Sequence, residues 1–314
     1  MGGLISELGK KIAEKWFSLL VLPGALFLAV VVTAHSLGHV HALDVARLTD
    51  QIAQWARRPA VTTVPGQIIL LAAVLAGASA VGLAAQAIGS VIERLRLAAD
   101  WESWPLPLRR SAARLVTRRQ RRWRAAALDW HGHRDRAARA RAEGRRADPA
   151  DRRLARRKMV GIAPEYPGRP TWSGDQLHAV TIRLERESGL GLDVVWPYLW
   201  LILPETVRGE ISAARENLAR SADLLAWATL YLLVGGLWWP AVLISAGLTV
   251  AGWRRGREYA DTYSLLLTAA TRLHARELAE RLGIESTGPF SADAGDSLTH
   301  WLRNDPPPVP PVVA

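Results

Sequence analysis

The chain has 314 residues, 49% of them hydrophobic, no cysteine and a formal net charge of +11. Without cysteine there can be no disulfide or thiolate metal site. No P-loop, G-x-S-x-G, H-E-x-x-H or dinucleotide fingerprint occurs either, so neither an enzyme nor a bound cofactor is expected.

The charge is concentrated. Arg109 to Lys158 holds 18 Arg and one Lys against five acidic residues, a net +14 that exceeds the total for the chain. An arginine-rich block flanked by apolar runs is the signature of membrane spans and of the side facing the cytoplasm. Only four of the 40 basic residues are Lys, the usage of a GC-rich bacterial genome of the actinobacterial kind.

In chain order, the first apolar run is Trp16 to Thr33, uncharged and near the lower length limit for crossing about 30 Å of hydrocarbon. Lys10, Lys11 and Lys15 precede it, as in a signal peptide. The run is long for that role and lacks a small-x-small cleavage site, so an uncleaved helix is expected. Pro23-Gly24 should bend it or mark a close helix contact. The loop of residues 34–66 is expected outside. It carries His35, His39 and His41 near Asp44, the best metal candidate in a sequence that otherwise predicts none.

The second run is Gln67 to Ile92. Gly77, Ala78, Ser79, Gly82, Ala85 and Gly89 would let neighbouring backbones approach closely. Ser79, Gly82, Gln86, Ser90 and Glu93 recur at helical spacing, either as part of a packing seam or as the lining of a wet pathway.

Residues 94–220 form a basic cytoplasmic helical domain. Its main element is a helix over 107–142 with a thin apolar stripe of Leu115, Trp123, Leu128 and Trp130. Three readings stay open for that helix: a solvated helix along lipid headgroups, a site for an anionic ligand, or the mouth of an assembly. Arginine's planar fork suits phosphate, and Arg118, Arg119, Arg121, Arg122 and Arg124 are the candidates for a nucleotide, oligonucleotide or phospholipid headgroup. Ser173 and Gln176 have capping-box spacing for a helix to about Glu187, stopped by Gly189 and Gly191. A short apolar segment with Pro197 and Pro204 follows, then an amphipathic helix to about Ser221.

The third apolar region, Ala222 to Trp253, would make a single helix of about 48 Å, too long for one crossing. Gly235-Gly236 and Trp238-Trp239-Pro240 interrupt it, so a hairpin over 221–253 is expected, fully crossing or re-entrant. It returns Arg254, Arg255 and Arg257 to the cytoplasmic side. A stripe of Tyr259, Tyr263, Leu266, Ala270 and Leu273 then predicts an amphipathic helix over 254–285. From Ser286 to Ala314 a Pro-rich, disordered tail is expected. Gly295-Asp296-Ser297 within it has a nucleophile-like Gly-x-Ser but no strand before it.

Pro170, Thr171 and Gly174, then Gly191, Leu192, Asp193, Val195, Trp196, Pro197 and Leu199, form a Pro-Thr-x-x-Gly…Gly-Leu-Asp-x-Val-Trp-Pro-x-Leu pattern. It resembles a family of uncharacterised bacterial multi-span membrane proteins, and the resemblance implies architecture without an activity. The expected fold is all-α: an integral protein of the bacterial inner membrane, with four transmembrane helices in two pairs (1–93 and 221–253) and both termini cytoplasmic. Such a plan is similar to membrane effectors of bacterial antiviral systems. The expected function is a homo-oligomeric ion channel gated by a nucleotide-type ligand. The alternative is a non-conducting scaffold that recruits a cytoplasmic signalling partner.

Overall fold

The computed structural model of the chain describes residues 21–57, 62–146, 148–284 and 290–303. Among them are ten α-helices and no strand. These are α1 (Leu22–Leu37), α2 (Val45–Ala56), α3 (Val64–Leu97), α4 (Leu106–Ala142), α5 (Pro149–Ile162), α6 (Trp172–Ser188), α7 (Leu192–Ile202), α8 (Glu205–Gly235), α9 (Pro240–Arg281) and α10 (Ala292–Arg303). The chain divides into two units, 1–93 with 219–255, and 94–218 with 256–314.

Two described helices, α3 and α8, are long and apolar enough to cross a membrane. The shorter α1 is also apolar; residues 16–20 of the expected first span lie outside the described residues.

In the first unit, α1, α3, α8 and the start of α9 pack through small residues. Pro23 sits in the first turn of α1, where its missing N–H costs no hydrogen bond. Gly24 lies directly on the Ala78 backbone of α3; a Cβ there would overlap the Ala78 carbonyl oxygen. Pro23-Gly24 therefore marks a close helix contact. Ala78, Gly82, Ala85 and Gly89 form the buried seam of α3.

Residues 221–253 fold as helix, turn and helix. Helix α8 stops at Gly235, and Pro240 opens α9. The two stay close because Gly252 leaves room for Leu225, which a Cβ there would crowd, and Ser245 donates a 2.7 Å hydrogen bond to the Ala228 carbonyl. At the hairpin tip, Trp238 donates to the Ala42 carbonyl and His39 Nδ1 to the Leu237 carbonyl. The loop after α1 and the hairpin tip thus share one end of this unit.

The second unit has a leucine-rich core from α6, α7, α9 and α10, including Leu184, Val195, Leu199, Leu267, Leu278 and Leu298. The stripe expected after Tyr259 lies on α9, which continues unbroken to Arg281; Ala270 is buried, whereas Leu273 is 75% exposed.

Residues 290–303 correct the expectation of a tail. They carry α10, whose Leu298 and Leu302 enter that core. Thr299 Oγ1 accepts from the Gly191 N–H and donates to the Gly189 carbonyl, bridging the end of α6 to the start of α7. Gly295 packs on the Ser188 carbonyl, which a Cβ there would overlap. Residues 304–314 lie outside the described residues.

The basic helix spans Leu106–Ala142 and turns back at Gly144 (φ 70°) into α5, forming an antiparallel hairpin. Its seam differs from the expected Leu/Trp stripe. Ala112, Val116, Ala127 and Ala137 are buried on α4 and Ala155 on α5, whereas Leu115 and Leu128 are exposed. Alanines let the two backbones come close, leaving bulkier side chains to flank the contact.

Candidate functional site

The arginine hairpin is joined to the rest of its unit by residues 163–175. Helix α3 ends at Leu97, where buried Ala98 takes a positive φ of 44° and breaks it. Carbonyls freed at that end accept side-chain donors: Thr171 Oγ1 reaches the Arg96 oxygen, and Arg169 Nη1 the Leu97 oxygen at 3.2 Å. Arg96 Nε also donates to Ser173 Oγ.

Thr171 caps α6 by accepting from the Gly174 N–H. The Ser173/Gln176 capping box is thereby corrected: Ser173 is already inside the helix. Gly174 is required, because a Cβ would meet the Leu97 carbonyl oxygen. At the other end, Gly189 closes α6 in the left-handed conformation, as expected for a glycine stop.

Asp175 is the hub of this segment. Its side chain is 3% exposed, and its Oδ1 accepts from the Gly168 and Arg169 N–H groups while Oδ2 accepts from Arg119 at 2.7 Å. Arg119 also donates to the Ile162 carbonyl. Further along α4, Gln120 donates to the Pro167 carbonyl, Trp123 to the Ala163 carbonyl and Arg124 to the Tyr166 hydroxyl. Burial holds the Arg169 guanidinium below its ordinary pKa, opposed by Asp175 and Asp100. Burial, followed by the Arg169 charge, lowers His178, keeping it neutral near pH 7. Hydrogen bonds from Arg186, and less strongly from Arg183, hold Glu165 low against its desolvation.

The five candidate arginines therefore separate into two groups. Arg119 and Arg124 bind their own fold. Arg118, Arg121 and Arg122 are exposed and make no hydrogen bond or ion pair with the described residues. Spacing cannot distinguish these groups, because it does not show which face of α4 meets residues 163–175.

The pore candidates on α3 also divide. Gly82 is buried in the seam, Ser79 and Glu93 are half-buried, and Gln86 and Ser90 are exposed. Ser79, Gln86 and Ser90 each follow a seam residue in sequence, so they stand about 100° round the helix from it. Ser79 and Ser90 return hydrogen bonds to the Leu75 and Ala87 carbonyls of α3. Asp223, the one charge between Ala222 and Trp253, lies on α8 against Gly89.

The three histidines are not gathered. His39 serves Leu237 and His41 accepts from Arg47, and no group of three metal-ligating side chains forms among the described residues.

Of the motif residues, Pro170, Thr171 and Gly174 belong to the turn before α6. Asp193, Trp196 and Pro197 belong to α7, a helix where a short apolar segment was expected. No protein-family model, curated protein or solved structure matches this chain.

Proposed function

We propose that this protein is a homo-oligomeric ion channel of a bacterial inner membrane, without catalytic activity, gated by an anionic nucleotide or oligonucleotide at the arginine hairpin. Its resemblance to uncharacterised multi-span membrane proteins, and to membrane effectors of antiviral systems, is part of the same proposal. The carrying observation is the surface of α3. One narrow seam is buried, and the polar side chains Ser79, Gln86 and Ser90 stand to one side of it. Polar side chains on a span avoid lipid. A ring of copies turning this stripe inward would give Gln86 and Ser90 an aqueous or protein environment.

Four crossings are proposed, by the apolar run Trp16 to Thr33, α3, and the apolar halves of α8 and α9, with both termini cytoplasmic. Helix α2 suits a loop at a membrane surface. Val45, Leu48, Ile52 and Trp55 share one face, yet no residue of α2 is buried, as suits a helix lying in the membrane interface. Reporter fusions at residue 1 and near residue 290 should report the same, cytoplasmic compartment. Opposite compartments would replace four crossings by three.

Arg118, Arg121 and Arg122 are the proposed phosphate contacts. Replacing two of them by Ala should weaken nucleotide or short-oligonucleotide binding on the order of 10²-fold, through the loss of charge-assisted hydrogen bonds. The remaining arginines still set orientation. Titration onto purified wild type and variant, paired with single-channel recording in lipid bilayers, tests both halves. Binding without current would favour the scaffold. Equal or absent binding in both proteins would remove the ligand.

A further inference from the structure

An open groove of about 620 Å³ lies wholly within the second unit. It is walled by Trp196 and Trp200 of α7, Ile211 and Arg215 of α8, and Tyr263 of α9. The two indoles stand one helical turn apart, with ring centroids at 5.9 Å and an interplanar angle of 46°. Neither indole N–H has a hydrogen-bond partner among the described residues. Pro197, inside α7, adds a further apolar edge.

Tilted, half-exposed aromatic faces with spare N–H donors are suited to one kind of peptide. A polyproline II segment makes no internal hydrogen bonds, so its carbonyls need outside donors. Its proline rings pack on aromatic faces, and its stiffness makes docking cheap in entropy.

The chain itself carries such a segment. Residues 304–314 read NDPPPVPPVVA and contain two overlapping P-x-x-P frames, Pro307–Pro310 and Pro308–Pro311. They continue directly from α10, whose last residue, Arg303, lies beside Gly191 at the start of α7. Trp196 and Trp200 are five and nine residues further along, about 7–14 Å at 1.5 Å per residue. Eleven residues at about 3.1 Å each reach roughly 34 Å, which covers that distance. We infer that the Pro-rich C-terminal segment of this chain docks in the Trp196/Trp200/Tyr263 groove of the same molecule.

The lack of native cysteine makes a direct test available in the full-length protein. A Ser212→Cys, Val309→Cys pair, with Ser212 at the groove, should cross-link within one chain through a short bismaleimide. The rate should exceed that of a control pair, Leu128→Cys with Val309→Cys, by about tenfold, reflecting a raised effective concentration. Adding Trp200→Ala, or replacing Pro307 and Pro310 by Ala, should bring the rate down to the control's. Three results would each overturn the inference. One is a Ser212/Val309 rate no faster than control or insensitive to both sets of changes. Another is cross-linking between chains, which would assign the groove to a second copy. The third is a cross-link formed in detergent but lost on reconstitution into vesicles, which would give the groove to lipid.

Discussion

Replacing Asp175 by Ala is expected to destabilise the arginine-rich unit by about 3 kcal/mol, the lower end of the range for breaking a buried ion pair, because Arg119 keeps some access to water. The carboxylate satisfies two backbone N–H groups and one guanidinium, and its removal leaves all three without that acceptor. Thermal unfolding of the detergent-solubilised protein, followed by tryptophan fluorescence, should show the loss. Exposed Glu210→Ala should change stability by less than about 0.5 kcal/mol. Equal stability of the two variants would mean that residues 163–175 do not depend on Asp175.

Gly24→Ala and Gly89→Ala should both loosen the helix packing of the first unit, but only one defect should be repairable. At Gly24 the added methyl meets the backbone carbonyl of Ala78, so trimming Ala78 to Gly cannot make room. At Gly89 it meets the Asp223 carboxyl, a side chain that can move or be removed. Each single change is expected to cost about 1–3 kcal/mol by overpacking. Asp223→Ala should restore most of the Gly89→Ala loss, while Ala78→Gly should leave the Gly24→Ala loss unchanged. Denaturant titration of the four proteins decides it. Equal rescue at both positions would mean that the α1–α3 backbone contact is not as close as described.

Much of this architecture could be read in the amino acids because it follows from strong local signals. Length and apolarity mark α3, the Gly235-Gly236 and Trp-Trp-Pro breakers mark the hairpin, and Gly189 marks the stop of α6. The failures arose where tertiary partners decide. The seam of α4 is alanine because another helix lies close, a fact invisible in a search for large apolar residues. Thr171 displaces Ser173 as the cap because it also reaches the end of α3. Helix α10 was hidden by the Gly, Asp and Pro around it, although Leu298 and Leu302 at i, i+4 were its signal. Asp175 directly follows Gly174 of the Pro-Thr-x-x-Gly pattern, where a lone carboxylate among arginines is the clue to a buried pair.

The interleaving of the two units has a consequence for how the protein is made. Residues 1–93 belong with 219–255, so 125 residues of the second unit are synthesised between the two halves of the first. At about 5–20 residues per second, the first helices wait roughly 6–25 s for their partners. During that interval the Ala42 carbonyl lacks Trp238, and His39 lacks the Leu237 oxygen. The nascent N-terminal pair then rests on its own contacts, such as Gly24 on Ala78 and Gly77 beside Leu28. A ribosome stalled in the arginine block would leave a half-built bundle, a natural substrate for quality control.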